Sequence, residues 1–132
     1  MPILDSLADV FRQYPDIQAV YLFGSRAGGH ARPGSDFDLA IVPADGAPEQ
    51  QRLSILADLT RAGFDDVDLV FLDGEDLVLA YEAVRPNRLI YRSEEFDRGA
   101  YYSKVVRMYL DFLPYLEVQR AAYKRRVLDG QT

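Results

Sequence analysis

Gly24 to Asp38 reads GSRAGGHARPGSDFD and lies between two apolar runs, Ile17 to Phe23 (IQAVYLF) and Leu39 to Val42 (LAIV). A polar, glycine-rich segment so placed is a loop joining two buried strands. Gly24, Gly28 and Gly29 free the backbone for unusual dihedrals and for close approach of a ligand, so N–H groups of the loop can turn toward an anion. Asp36 and Asp38 follow at a spacing of two. In a strand that spacing puts both carboxylates on one face, while Phe37 and Leu39 point to the other. Side-by-side carboxylates repel each other, and a divalent cation between them removes the conflict. An anion cradle beside such a pair suits a nucleoside triphosphate with magnesium. Taken singly, Gly-Ser and Asp-x-Asp are also ordinary turn residues. Their conjunction carries the reading: strand, Gly-Ser, loop, Asp-x-Asp, strand.

The composition sets bounds. With 132 residues, 48% hydrophobic and 27% charged, the chain reads as one globular domain with a single core, too short for a separate substrate domain. It has no cysteine, which excludes a disulfide framework, a thiolate nucleophile and a zinc-thiolate site. The N-terminal MPILDSLADVF is too short and too acidic for a signal peptide, and no apolar run approaches membrane-spanning length. The expectation is a cytoplasmic protein with no membrane role. The net charge of −6 is unevenly divided: five Arg against fifteen Asp or Glu up to Val84, then ten Arg or Lys against six acidic residues from Arg85 on. The acidic part suits metal ions, and the basic tail suits phosphates or an acidic partner surface. Direct nucleic-acid binding is not expected.

Along the chain, Leu4, Leu7, Ala8 and Phe11 recur at helical spacing. They predict an amphipathic first helix, capped by Asp5 or Ser6 and ending near Tyr14-Pro15. Ile17 to Phe23 is the first strand. Ser25 to Ala27 can open a helical turn facing the anion. Asp36 to Val42 is the second strand, and a helix from Pro48 or Glu49 carries Leu53, Leu56, Ala57 and Leu59 as far as Gly63. Asp66 to Leu72 (DVDLVFL) is the third strand, giving a strand-helix-strand crossover. Asp66 and Asp68 share one face of it. With this strand beside the second, one of them meets Asp36 and Asp38 as a third metal-binding carboxylate. Asp68 is favoured because the run after it mirrors the run after Asp38; Asp66 is the alternative.

Asp76 to Val84 predicts a short helix ended by Pro86, and Arg88 to Arg92 (RLIYR) a short edge strand. Phe96 to Asp129 reads as one long helix or two in series, with Pro114 as kink or break. Its apolar residues exceed one stripe and include five of the nine tyrosines, a composition suited to a protein interface. Tyr109 and Phe112 are expected to dock a partner. The fold class expected is α/β (α+β): a small mixed sheet flanked by helices over residues 1–95, with a helical C-terminal extension over residues 96–132.

Gly24-Ser25-Arg26-Ala27 together with Ser35-Asp36-Phe37-Asp38-Leu39 resembles the signature of the minimal nucleotidyltransferases of the DNA polymerase beta superfamily. Arg98 to Pro114 resembles the tail of those members that act as antitoxins beside a HEPN-type ribonuclease toxin. Many of them carry Gly-Ser-x-Ala-Arg-Gly, where this chain has Gly28, leaving Arg26 or Arg32 to replace that basic contact. The resemblance implies a polymerase-beta-like fold with ATP as substrate. Gly24, Ser25 and Arg26 would hold its phosphates. Asp36 and Asp38 would hold two magnesium ions, with Asp68 sharing one of them with the acceptor hydroxyl. In-line attack on the α-phosphorus would release pyrophosphate with no covalent enzyme intermediate. His30 reads as a surface imidazole.

Three functions follow from these expectations. One is transfer of AMP to a hydroxyl of a partner, a tyrosine of a HEPN-type toxin, which neutralises it. The second is an inactive antitoxin that masks the toxin through its tyrosine-rich tail. The third is a small-molecule, antibiotic-modifying nucleotidyltransferase; it lacks a substrate domain unless a homo-oligomer builds the cleft.

Overall fold

In a computed structural model, which describes residues 2–24, 37–44, 48–73 and 76–129, the two apolar runs around the glycine-rich stretch are neighbouring strands. β1 (Ile17–Phe23) pairs antiparallel with β2 (Phe37–Pro43), Phe23 opposite Asp38 and Tyr21 opposite Ala40. β3 (Val67–Phe71) lies parallel to β2 on its other side, and β4 (Arg88–Arg92) antiparallel to β1. The sheet is therefore mixed, in the order β3-β2-β1-β4, with β4 at one edge as its sequence predicts. A parallel neighbour requires a crossover. Here it is a 3-10 turn, Pro48–Gln51, leading into α2 (Arg52–Arg61). At its start Arg52 Nη1 donates to the Leu69 carbonyl at 2.7 Å, and its guanidinium lies 4.9 Å from the centre of the Phe71 ring.

Strand alternation sorts the core into two layers. Ile17, Val20 and Leu22 of β1 with Leu39 and Ile41 of β2 bury against Leu7 and Phe11 of α1 (Pro2–Phe11) and Ile55 and Leu59 of α2. Truncating a fully buried leucine such as Leu39 costs about 2–5 kcal/mol. The opposite face carries Ala19, Tyr21, Ala40 and Val42. It is covered by Ala80, Ala83 and Val84 of α3 (Leu77–Val84), by Phe96, and by Val105 of α4 (Arg98–Asp129). The alanines on both sides let helix and sheet approach closely.

One expectation changes. The first helix starts at Pro2 rather than at an Asp5 or Ser6 cap, because proline lacks only an N–H that the first turn leaves unbonded anyway. Asp5 then sits in that first turn, where the helix dipole favours a carboxylate. Of the two readings of the tail, one long helix is the one found: α4 has 32 residues with Pro114 inside it, and Pro114 is exposed, its ring meeting solvent. Asp97 caps α4 by accepting the Ala100 N–H at 3.0 Å.

The first turns of α4 pack on the domain. Tyr109, half-buried, lies flat on Tyr81 of α3, ring centres 4.0 Å apart and 5° from parallel. From Glu117 to Leu128 every residue of α4 is exposed, a span of roughly 18 Å at 1.5 Å per residue. Among the described residues no helix is long and apolar enough to cross a membrane.

Candidate active site

Register places the carboxylates. Asp38 of β2 stands opposite Asp68 of β3, and directly paired residues on adjacent strands share a face. Both leave the sheet on the side that carries Tyr21 and Ala40, at the end where β2 and β3 begin. Asp38 is half-buried and Asp68 exposed. Asp66, the alternative, precedes β3; its carbonyl accepts the Phe37 N–H at 3.0 Å and ties the two strand starts together. Asp68 is thus the residue in register with Asp38.

Across β1 the glycine-rich loop begins against the same carboxylate. Gly24 has φ +76°, and a Cβ there would lie 2.1 Å from Asp38 Oδ2. Conformation and space both demand glycine. Ser25, Arg26 and Asp36 lie outside the described residues, as do Gly28, Gly29, His30, Arg32 and the helical turn expected at Ser25 to Ala27. Among the described residues no three His, Asp or Glu side chains gather as a metal-ligating set. The in-register pair Asp38 and Asp68 does fit magnesium: its donors are all oxygen, and the bare Gly24 backbone leaves the carboxylate accessible.

The sequence did not reveal what lies on the other side of this end of the sheet. Leu22 pairs with Arg88, so β4 starts beside the end of β1, two strand spacings or about 10 Å from Asp38. Arg98 at the start of α4 donates through Nη2 to the Asn87 carbonyl at 2.6 Å and through Nε and Nη2 to Asn87 Oδ1 at 3.2 and 3.0 Å. Asn87 itself is left-handed, φ 57°, a conformation that asparagine tolerates. Only antiparallel pairing of residues distant in sequence brings Arg88 and Arg98 here. The one available signal was the pair of arginines bracketing RLIYR.

Beneath Arg98, Tyr21 is fully buried and its hydroxyl has no hydrogen-bond partner among the described residues. Burial raises its pKa, and the Arg98 charge opposes that rise. Tyr101 stacks on Tyr21 with ring centres 6.2 Å apart. Burial, with a smaller contribution from Tyr21, pushes Tyr101 up to about 12.

The family model for polymerase beta nucleotidyltransferases matches residues 5–96. The protein adenylyltransferase MntA of Shewanella oneidensis is 31% identical over 108 residues, spanning 82% of this chain and 74% of that protein. A chain from a toxin-antitoxin crystal structure with AMP-PNP is 27% identical with a TM-score of 0.70, covering 95% of this chain and 98% of its own. A chain from the complex of tri-AMPylated Shewanella oneidensis HEPN toxin with MNT antitoxin is 26% identical with a TM-score of 0.65, covering 97% and 99%. Fold, strand register and sequence agree: the chain belongs to the polymerase beta nucleotidyltransferase family.

Proposed function

We propose that this chain transfers AMP from ATP to a hydroxyl of a partner protein, a HEPN-type toxin, repeats the transfer on it, and so acts as its antitoxin in the cytoplasm. The observation that carries the reading is the in-register pair Asp38 and Asp68 set against the bare backbone of Gly24. The adenylyltransferase relative and the solved complex holding a tri-AMPylated toxin support the choice of donor and acceptor.

In this reading Gly24, Ser25 and Arg26 hold the phosphates. Asp36, Asp38 and Asp68 hold two magnesium ions, which when bound lower the acceptor hydroxyl's pKa and neutralise the leaving pyrophosphate. Asp68, the more exposed of the described pair, stands on the acceptor side and orients the incoming hydroxyl. The exposed half of α4, with Tyr115 at 59% and Tyr123 at 63% exposure, docks the toxin; such amphipathic rings anchor interfaces.

The test uses ATP labelled at either the α- or the γ-phosphate, incubated with the chain, magnesium and the toxin. Label entering the toxin from the α position alone is expected. Transfer from the γ position, or from neither, overturns the reading.

A further inference from the structure

β3 is an edge strand, held to the sheet by β2 alone. Hydrogen bonds at its two ends show how its peptide groups point. The Asp66 carbonyl accepts the Phe37 N–H at 3.0 Å, and the Leu72 N–H donates to the Ile41 carbonyl at 2.8 Å. Peptide groups alternate sides along a strand, so those of Asp68 and Val70 also turn toward β2, while that of Leu69 turns to the free edge. This outward carbonyl is taken by Arg52, the first residue of α2, whose Nη1 donates to it at 2.7 Å. The same guanidinium lies over the Phe71 ring, 4.9 Å from its centre. A planar guanidinium can donate and stack at once, which an ammonium cannot. α2 is in turn anchored in the core by Ile55 and Leu59, both fully buried. Arg52 therefore clamps β3 at two points, the nearer one residue beyond Asp68.

Leu69 and Phe71 pack on the side of the sheet that α2 covers, and Asp68 leaves by the other. The guanidinium thus acts on Asp68 through the strand and not by touching its carboxylate. A carbonyl on a free edge would otherwise bond to water, so the clamp adds little to global stability; what it adds is a fixed place for the strand. Magnesium demands near-ideal octahedral geometry, and a functional side chain has to be held to within about 0.5 Å. We propose that Arg52 is a positioning residue: by holding the outer edge of β3 it keeps Asp68 in register with Asp38, so that the two carboxylates can share a divalent cation. The inference rests on the reading of this pair as metal ligands given under the proposed function.

The test is a double-mutant cycle read by metal binding. Mn2+, whose paramagnetic resonance signal reports its own binding, is titrated into the full chain as wild type, Arg52→Ala, Arg52→Lys, Asp68→Asn, and Arg52→Ala combined with Asp68→Asn. Arg52→Ala is expected to weaken Mn2+ binding about tenfold, Arg52→Lys to recover part of the loss, and Arg52→Ala to make no further difference once Asp68 is replaced. Amide exchange gives a second reading: the Asp68 and Val70 N–H groups should exchange about tenfold faster in Arg52→Ala, with those of β1 unchanged. Should Arg52→Ala not fold, Arg52→Lys, which keeps a donor and loses the stacking, carries the same cycle. An Asp68 effect without an Arg52 effect, equal Arg52 effects in both backgrounds, or unchanged exchange at Asp68 and Val70 each overturns the clamp alone. Mn2+ binding indifferent to Asp68→Asn overturns the clamp together with the metal reading beneath it. The transfer of AMP is decided separately by the labelling experiment on the wild type.

Discussion

Gly24 and Asp38 are matched in shape: the backbone of Gly24, at φ +76°, passes so close that a Cβ would lie 2.1 Å from Oδ2 of the aspartate. The contact joins the first residue of the glycine-rich stretch to a carboxylate that the proposed function assigns to metal. Gly24→Ala should force the carboxylate aside and strain the backbone. The strain costs about 1–2 kcal/mol, while a misplaced carboxylate lowers AMP transfer about a hundredfold. Thermal unfolding and transfer rate, measured on the same preparation, test this. A variant that keeps its activity would show that transfer does not depend on the bare backbone at Gly24.

Alkaline stability tests the packing of α4 on the sheet. Tyr101 is pushed up to about 12 by burial, against about 10 in an unfolded chain. Between those values the unfolded chain loses its proton first. The contribution is therefore complete below pH 10 and is lost as pH rises toward 12. Urea midpoints at pH 9 and pH 11 should fall less in Tyr101→Phe than in the wild type.

Pro114 gives a prediction about the tail. It lies inside α4 and is exposed, and a proline in a helix interior costs up to about 3 kcal/mol relative to alanine. Pro114→Ala should raise the helical circular dichroism signal and slow amide exchange from 115 to 129. The melting temperature of the core should hardly move, because from Glu117 to Leu128 every residue of α4 is exposed.

Much of the fold was legible because its signals are local. The runs IQAVYLF and RLIYR are bounded by turn residues and appear as β1 and β4 with the expected limits. The repeated pattern of an aspartate before an apolar run, at Asp38 and at Asp68, correctly indicated a pair of carboxylates on neighbouring strands. The start of the first helix differs because a local preference lost to context. Asp5 and Ser6 are good caps, but helix geometry reaches back to a proline that suits the first turn. For the tail, one long helix and two in series both suit the sequence, and the helix runs on through Pro114. The stacking of Tyr109 on Tyr81 was not legible, since nothing local announces a contact across 28 residues of sequence. Arg88 and Arg98 were invisible as a pair for the same reason.

The proposed function assigns partner docking to the exposed half of the tail. Tyr115, Val118 and Tyr123 are all more than half exposed, so Tyr115→Ala combined with Tyr123→Ala should leave the melting temperature unchanged. If both rings are anchors, each loss weakens toxin binding by about 2 kcal/mol. Binding measured by calorimetry should drop while ATP binding is retained. Unaltered toxin affinity would assign the docking surface elsewhere.

The pair Asp38 and Asp68 carries the central claim, and the mass of the toxin tests it most directly. Toxin is incubated with ATP, magnesium and either the wild type, Asp38→Asn or Asp68→Asn, each variant first shown to unfold at the wild-type temperature. The account predicts that the toxin gains AMP units with the wild type and none with either variant. A toxin left unmodified by all three proteins yet fully neutralised by each of them would contradict it and leave an antitoxin that works by masking alone.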